Sequence, residues 1–77
     1  MYKQKHFFTV GKTYTMKTIN ERIVDYKYYG EFKHIDGGIS HIFVEEYFNY
    51  DLKKMFAIST AVYDYHFDVS FILLGEK

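Results

Sequence analysis

Residues 23–50, IVDYKYYGEFKHIDGGISHIFVEEYFNY, read as two long strands folded about Asp36, Gly37 and Gly38. From Val24 the alternation is clean. Val24, Tyr26, Tyr28 and Phe32 point one way, and Asp25, Lys27, Tyr29, Glu31 and Lys33 the other. A period of two with one polar face marks a half-buried strand. Gly30 interrupts the apolar face, and a glycine inside a strand marks a bend, a bulge or a close backbone approach. A three-residue loop over Asp36–Gly38 supplies a glycine where positive φ is required and pairs Ile35 with Ile39. It sets Phe32 opposite Ile42, Gly30 opposite Val44, Tyr26 opposite Phe48 and Val24 opposite Tyr50. Val24, Tyr26, Phe32, Ile42, Val44 and Phe48 then close a core, while Tyr29, Phe43 and Tyr47 lie outside beside Lys27 and Lys33. A four-residue loop would instead set His34 opposite His41 and Phe32 opposite Phe43. It would also leave Ile42, Val44 and Phe48 beside Asp25, Lys27 and Lys33. Because a slip of one residue moves every side chain to the other face, the first register is preferred.

Working outward, KTYTMKTI (Lys12–Ile19) follows Gly11 and reads as a first strand, with a break at Asn20 and Glu21. Beyond the hairpin, NYDLKK (Asn49–Lys54) reads as a turn. The next stretch, MFAISTAVYDYHF, fits two descriptions. Leu52, Met55, Phe56, Val62 and Tyr63 suit one face of a helix capped by Asn49 or Asp51, whereas Phe56, Ile58, Thr60 and Val62 suit a strand by alternation. β-Branched and aromatic residues from Ile58 onward favour a strand over 55–63, after one helical turn at 51–54. Val69–Leu74 is continuously apolar and is expected to form a last strand, buried on both faces or paired with another subunit. The expected class is all-β with one short helix, arranged as a small, strongly bent antiparallel sheet.

A chain of 77 residues forms one domain that buries only about 60% of its unfolded surface. Nine Tyr and eight Phe must therefore supply the core. A core this small cannot enclose all of them, so several aromatics are expected on a surface or at a subunit interface. The absence of Cys excludes a disulfide framework and a thiolate zinc site. No export signal or membrane span is visible, and the expected location is the cytoplasm. Pro is absent too, so edge strands lack one common protection and a homodimer or larger homo-oligomer is open to the fold. The ten basic and ten acidic residues balance, yet residues 1–33 hold seven of the basic ones and 34–77 seven of the acidic ones. Two consequences are open: basic and acidic strands lie side by side and pair, or Lys3, Lys5, Lys12 and Lys17 make an electropositive surface. The latter would rest on a basic aromatic N-terminal arm over residues 1–10, with Tyr2, Phe7 and Phe8 interleaved.

Chemistry-bearing constellations are sparse. Alternation would put Asp64, His66 and Asp68 on one strand face with Tyr63, Tyr65 and Phe67 turned inward. Imidazole and carboxylate can hold a divalent metal, but such residues stand too far apart along a straight strand to converge, and no metal or cofactor is expected. His34 and His41 meet only in the four-residue register, and His6 has no evident partner. Ser40, Ser59 and Ser70 lie in no nucleophile elbow, Glu45 and Glu46 point to opposite faces, and no glycine group resembles a phosphate loop. Catalysis is not expected. Tyr29 with Lys3, Lys5, Lys12 and Lys17 makes nucleic-acid or nucleotide binding the alternative, because bases stack on exposed rings while lysines track phosphates.

The succession of VGKTYTMKT, a long bent strand ending in YYGEFKHIDGG, the return SHIFVEE, MFAISTAV and a terminal strand resembles a small five-stranded SH3-like or Sm-like barrel, over roughly residues 10–63. In composition, rich in Tyr, Phe, Lys and Ile, the chain is similar to accessory proteins of phages of low-GC Gram-positive bacteria. That resemblance implies a viral protein in the host cytoplasm that binds and inhibits a host protein. The surface expected to do so is Tyr29, Phe43, Tyr47, Lys27 and Lys33.

Overall fold

The computed structural model describes residues 2–77. It contains β1 (Thr13–Thr18), β2 (Ile23–Lys33), β3 (Ile39–Asn49), β4 (Lys54–Tyr63), a 3-10 turn (Asp64–His66), a single-turn helix α1 (Phe67–Ser70) and β5 (Phe71–Glu76). All five strands join one antiparallel sheet in the order β4-β3-β2-β1-β5. This is the expected class, all-β with one short helix.

β2 alternates as its sequence dictates, with Val24, Tyr26 and Tyr28 buried and the residues between them exposed. The hairpin register differs from the expected one in two ways. The loop is three residues long but lies one position earlier, over 35–37. It is closed by the His34 amide donating to the Gly38 carbonyl at 2.8 Å, with Gly37 at φ 90°. Phe32 therefore faces Ser40 and Gly30 faces Ile42. The ladder then shifts at Tyr29, and Tyr28 faces Phe43 and Lys27 faces Val44. The extra residue makes a bulge, which Gly30 accommodates at φ 140°. A bulge exchanges the faces of everything beyond it. Phe43 thus enters the core at 1% exposure, Phe32 and Phe48 are exposed, Ile42 is half-buried, and Val24 and Tyr26 join the core as expected, whereas Val44 is buried on the opposite face, paired with Lys27 and outside the core.

The stretch after the hairpin resolves as strand from Lys54, preceded by a turn in which Asn49 Oδ1 accepts from the Leu52 amide at 3.0 Å. Residues 64–70 are helical rather than extended. β4 and β5 are opposite edges of the sheet, so the chain must cross the concave face between them. The crossing turns Asp64 and Phe67 inward and leaves Tyr63, Tyr65, His66 and Asp68 exposed. The expected inward set Tyr63, Tyr65 and Phe67 is corrected to Phe67 alone. β5 begins at Phe71, two residues later than expected, and only Phe71 is buried; Ile72, Leu73 and Leu74 are exposed. Burial of this strand on both faces is thereby corrected. The core gathers Tyr14, Met16, Val24, Tyr26, Tyr28, Phe43, Val62, Phe67 and Phe71, with Phe8 packed against it.

Candidate functional site

Two places concentrate unusual chemistry, and the first is internal. Asp64 begins the crossing turn and carries no exposed surface. Tyr2 donates its hydroxyl to Oδ2, and the backbone amides of Lys5 and His6 donate at 2.6 and 3.0 Å. His41 Nε2 lies 2.7 Å from Oδ1, and its Nδ1 lies 2.8 Å from the Tyr28 hydroxyl. An ionised carboxylate only accepts, so Nε2 carries the hydrogen, and in the neutral ring Nδ1 accepts from Tyr28. Burial pushes the Asp64 carboxyl up, but hydrogen bonds from Tyr2, His41, Lys5 and His6 outweigh it and hold the group at about 2. Burial raises the Tyr28 hydroxyl to about 12, with Glu31 and Asp64 adding to the effect. Tyr2 is raised to about 12 by burial and by its bond to Asp64.

Tyr28, His41 and Asp64 would suit a nucleophile, a base and its orienting group if they lined a cleft. They do not: Tyr28 is 1% exposed and the other two are fully covered. Phe8 closes over them, its ring centroid 5.3 Å from that of Tyr28 and 5.0 Å from that of His41. What the relay does is fasten the N-terminal segment across the concave face. The arm, of which Met1 lies outside the described residues, is therefore docked, with only Phe7 among its Phe residues exposed. Sequence reasoning missed this network because its members stand far apart along the chain. The one local signal was the i, i+2 spacing of His41 and Phe43, which puts both on whichever face is buried.

The second place is the distal half of the β3–β4 hairpin. The register of β2 with β3 ends at Lys27–Val44, whereas β3 and β4 stay paired from Glu45–Ile58 to Asn49–Lys54. A two-stranded ribbon thus projects from the sheet, and the molecule measures 47 × 24 × 21 Å. Arg22 braces its base through Glu45 at 3.2 Å. Both faces carry large apolar side chains, with Glu45 and Lys54 at the ends of one and Glu46 on the other. Tyr47 stacks on Phe56 across the strands at 5.8 Å, Ile58 continues that face, and Phe48 and Met55 pair on the other. Tyr50, 82% exposed, and Leu52 cap the tip. An isolated hairpin of this kind is marginal in water without something to cover an apolar face.

Of the expected partner surface, Tyr47 lies on this ribbon. Tyr29 is 58% exposed at the bulge, and Phe43 is removed to the core. Lys27 and Lys33 are exposed but stand on either side of the bulge, which turns them to opposite faces. These five residues do not form one patch. Among the lysines of the nucleic-acid alternative, Lys3, Lys5 and Lys12 are exposed and Lys17 is half-buried; Lys12 pairs with Glu76 at 3.5 Å. Together with Arg22–Glu45, this joins the basic first half to the acidic second half. Asp64, His66 and Asp68 do not converge, and among the described residues no three metal-ligating side chains do. His34 bonds Ser40 at 2.7 Å rather than meeting His41. No helix among the described residues is long and apolar enough to cross a membrane. Compared with protein-family models, curated proteins and solved structures, the chain matches none.

Proposed function

We propose that this protein is a non-enzymatic binding module that docks the projecting β3–β4 ribbon on a protein partner. The observation that carries this reading is a two-stranded ribbon with aromatic and aliphatic side chains on both faces and at its tip. Tyr, Phe and Met are the residue types that anchor protein interfaces, and a marginal hairpin gains most from being covered. The phage-type resemblance supplies the class of partner, a host protein whose site the ribbon occupies. The strand order, with a helical crossing between β4 and β5, supports the SH3-like comparison.

The test is affinity capture from host lysate with and without nuclease, using the intact chain and the tip variants Tyr50→Ser and Leu52→Ser. A protein partner retained after nuclease treatment is expected, with capture lost in both variants while their melting temperatures stay within a few degrees of the parent. Recovery of nucleic acid alone, abolished by nuclease, would overturn the reading in favour of the nucleic-acid alternative.

A further inference from the structure

The two edges of the sheet are guarded very differently. β5 is six residues long and its ladder with β1 is interrupted by a bulge at Leu74. It ends in Gly75 and Glu76, the latter paired with Lys12, and the adjacent Lys77 is paired with Asp25 at 2.7 Å. A short bulged strand with charges at its end discourages further pairing. β4 is neither short nor bulged, and its charge is confined to Lys54 at its start. Its ten residues pair with β3 in an unbroken register, and its other edge faces no strand among the described residues. No Pro, no Gly and no charge falls between Lys54 and Asp64, so a long, regular line of backbone donors and acceptors is open to another strand.

We infer that this protein forms a two-fold homodimer in which β4 pairs antiparallel with β4 of a second copy, Ser59 facing Ser59. Charge chooses the direction, and the self-complementary order of side chains along β4 chooses a second copy as the occupant. Parallel pairing would lay Lys53 and Lys54 of the two copies side by side, whereas the antiparallel arrangement puts the two Lys54 residues about 33 Å apart. Two-fold symmetry requires a residue to face itself across the axis, and Ser59 at that point makes the side-chain pairs complementary. Phe56 meets Val62 and Ile58 meets Thr60 on the concave side, which are aromatic and β-branched pairs of the kind that stabilise sheets. On the other side Ala57 meets Ala61 next to the central Ser59, and Met55 meets Tyr63 at each end of the pairing, both of them exposed in the single chain. The pairing turns two marginal ribbons into four continuous strands, above the minimum for independent stability. Their faces and tips remain free, so this inference and the docking reading stand or fall separately.

The chain has no Cys, which makes cross-linking a clean measure of register. Light scattering on the purified protein at micromolar concentration should return twice the 9.3 kDa of the chain. Under mild oxidation Ser59→Cys should form a covalent dimer, and Lys54→Cys should not, because a disulfide needs Cα atoms within about 7 Å. Ser59→Lys, which sets two cations against each other, should give a monomer that keeps its β-sheet circular dichroism and still captures the partner. A monomeric parent protein, a mass above that of a dimer, or equal cross-linking at positions 54 and 59 would overturn the inference. If Ser59→Lys fails to fold, the mass and the two cysteine variants decide.

Discussion

Asp64 accepts hydrogen bonds from residues 2, 5, 6 and 41, so a single buried carboxylate ties three separate pieces of chain together. Its folded value of about 2 lies below the ordinary 3.8. As pH falls, the unfolded chain therefore takes up the proton first. The stabilisation is complete above pH 4, fades between about 4 and 2, and is gone below that. Asp64→Asn should remove this acid sensitivity and lower stability by about 3 kcal/mol, since an amide cannot accept from all four donors. Thermal melts of both proteins from neutral pH to pH 2 check it, and parallel curves would contradict the assignment. Gly30, at φ 140° with only the Val10 methyl within 4 Å, is constrained by backbone rather than by space. Gly30→Ala should cost about 1–2 kcal/mol, or roughly 4–16 °C in Tm for a chain of this size. Neither the His41–Asp64 pair nor the bulged residue Tyr29 was legible in the sequence. A polar side chain on an alternating strand reads as solvent-facing until something is known to cover it.

Residues 2–12 form no strand of their own, yet they behave as a structural element because Phe8 packs against the core while Phe7 faces solvent. Phe8→Ala should lower stability by about 2–3 kcal/mol, and Phe7→Ala should change it by less than about 0.5 kcal/mol. Urea unfolding of the two variants makes the comparison, and equal effects would mean that the segment is not docked. In β2 the alternation before the bulge was readable from the sequence, and so were its partner strand and the glycine-rich turn. The faces of β3 were not: Gly30 marked a bend, a bulge or a close approach in β2, but did not say which, and only a bulge, by adding one residue to one strand, exchanges the faces of its partner. The ribbon was hidden for a related reason. Its residues alternate like any strand, and only the departure of β2 from β3 after Lys27–Val44 leaves them uncovered.

For the whole molecule, charge asymmetry along the chain becomes the pairs Lys12–Glu76 and Arg22–Glu45, while Asp25–Lys77 joins the halves in the opposite sense. The bonds from Lys77 and Thr15 hold Asp25 below the usual carboxylate range. Such pairs are weak and screened, so raising salt to about 1 M should shift the melting temperature by only a few degrees; a collapse of the fold would contradict this. Tyr14 pairs with Glu76 and Met16 with Leu73, contacts that close nearly the whole chain, and sheets of this topology fold in about milliseconds to seconds. With no Pro in the sequence, refolding followed by tyrosine fluorescence should lack the tens-of-seconds isomerisation phase. The amino-acid sequence by itself determined the strand class, the central hairpin, the turn chemistry and the surplus of aromatic residues, because propensity and periodicity act over a few neighbouring residues. Only the tertiary structure decided which face of β3 is buried, that Asp64 and His41 fasten the N-terminal segment, and that the β3–β4 ribbon stands clear. Each of these depends on which distant segment covers a residue, and coverage is a property of the packed chain.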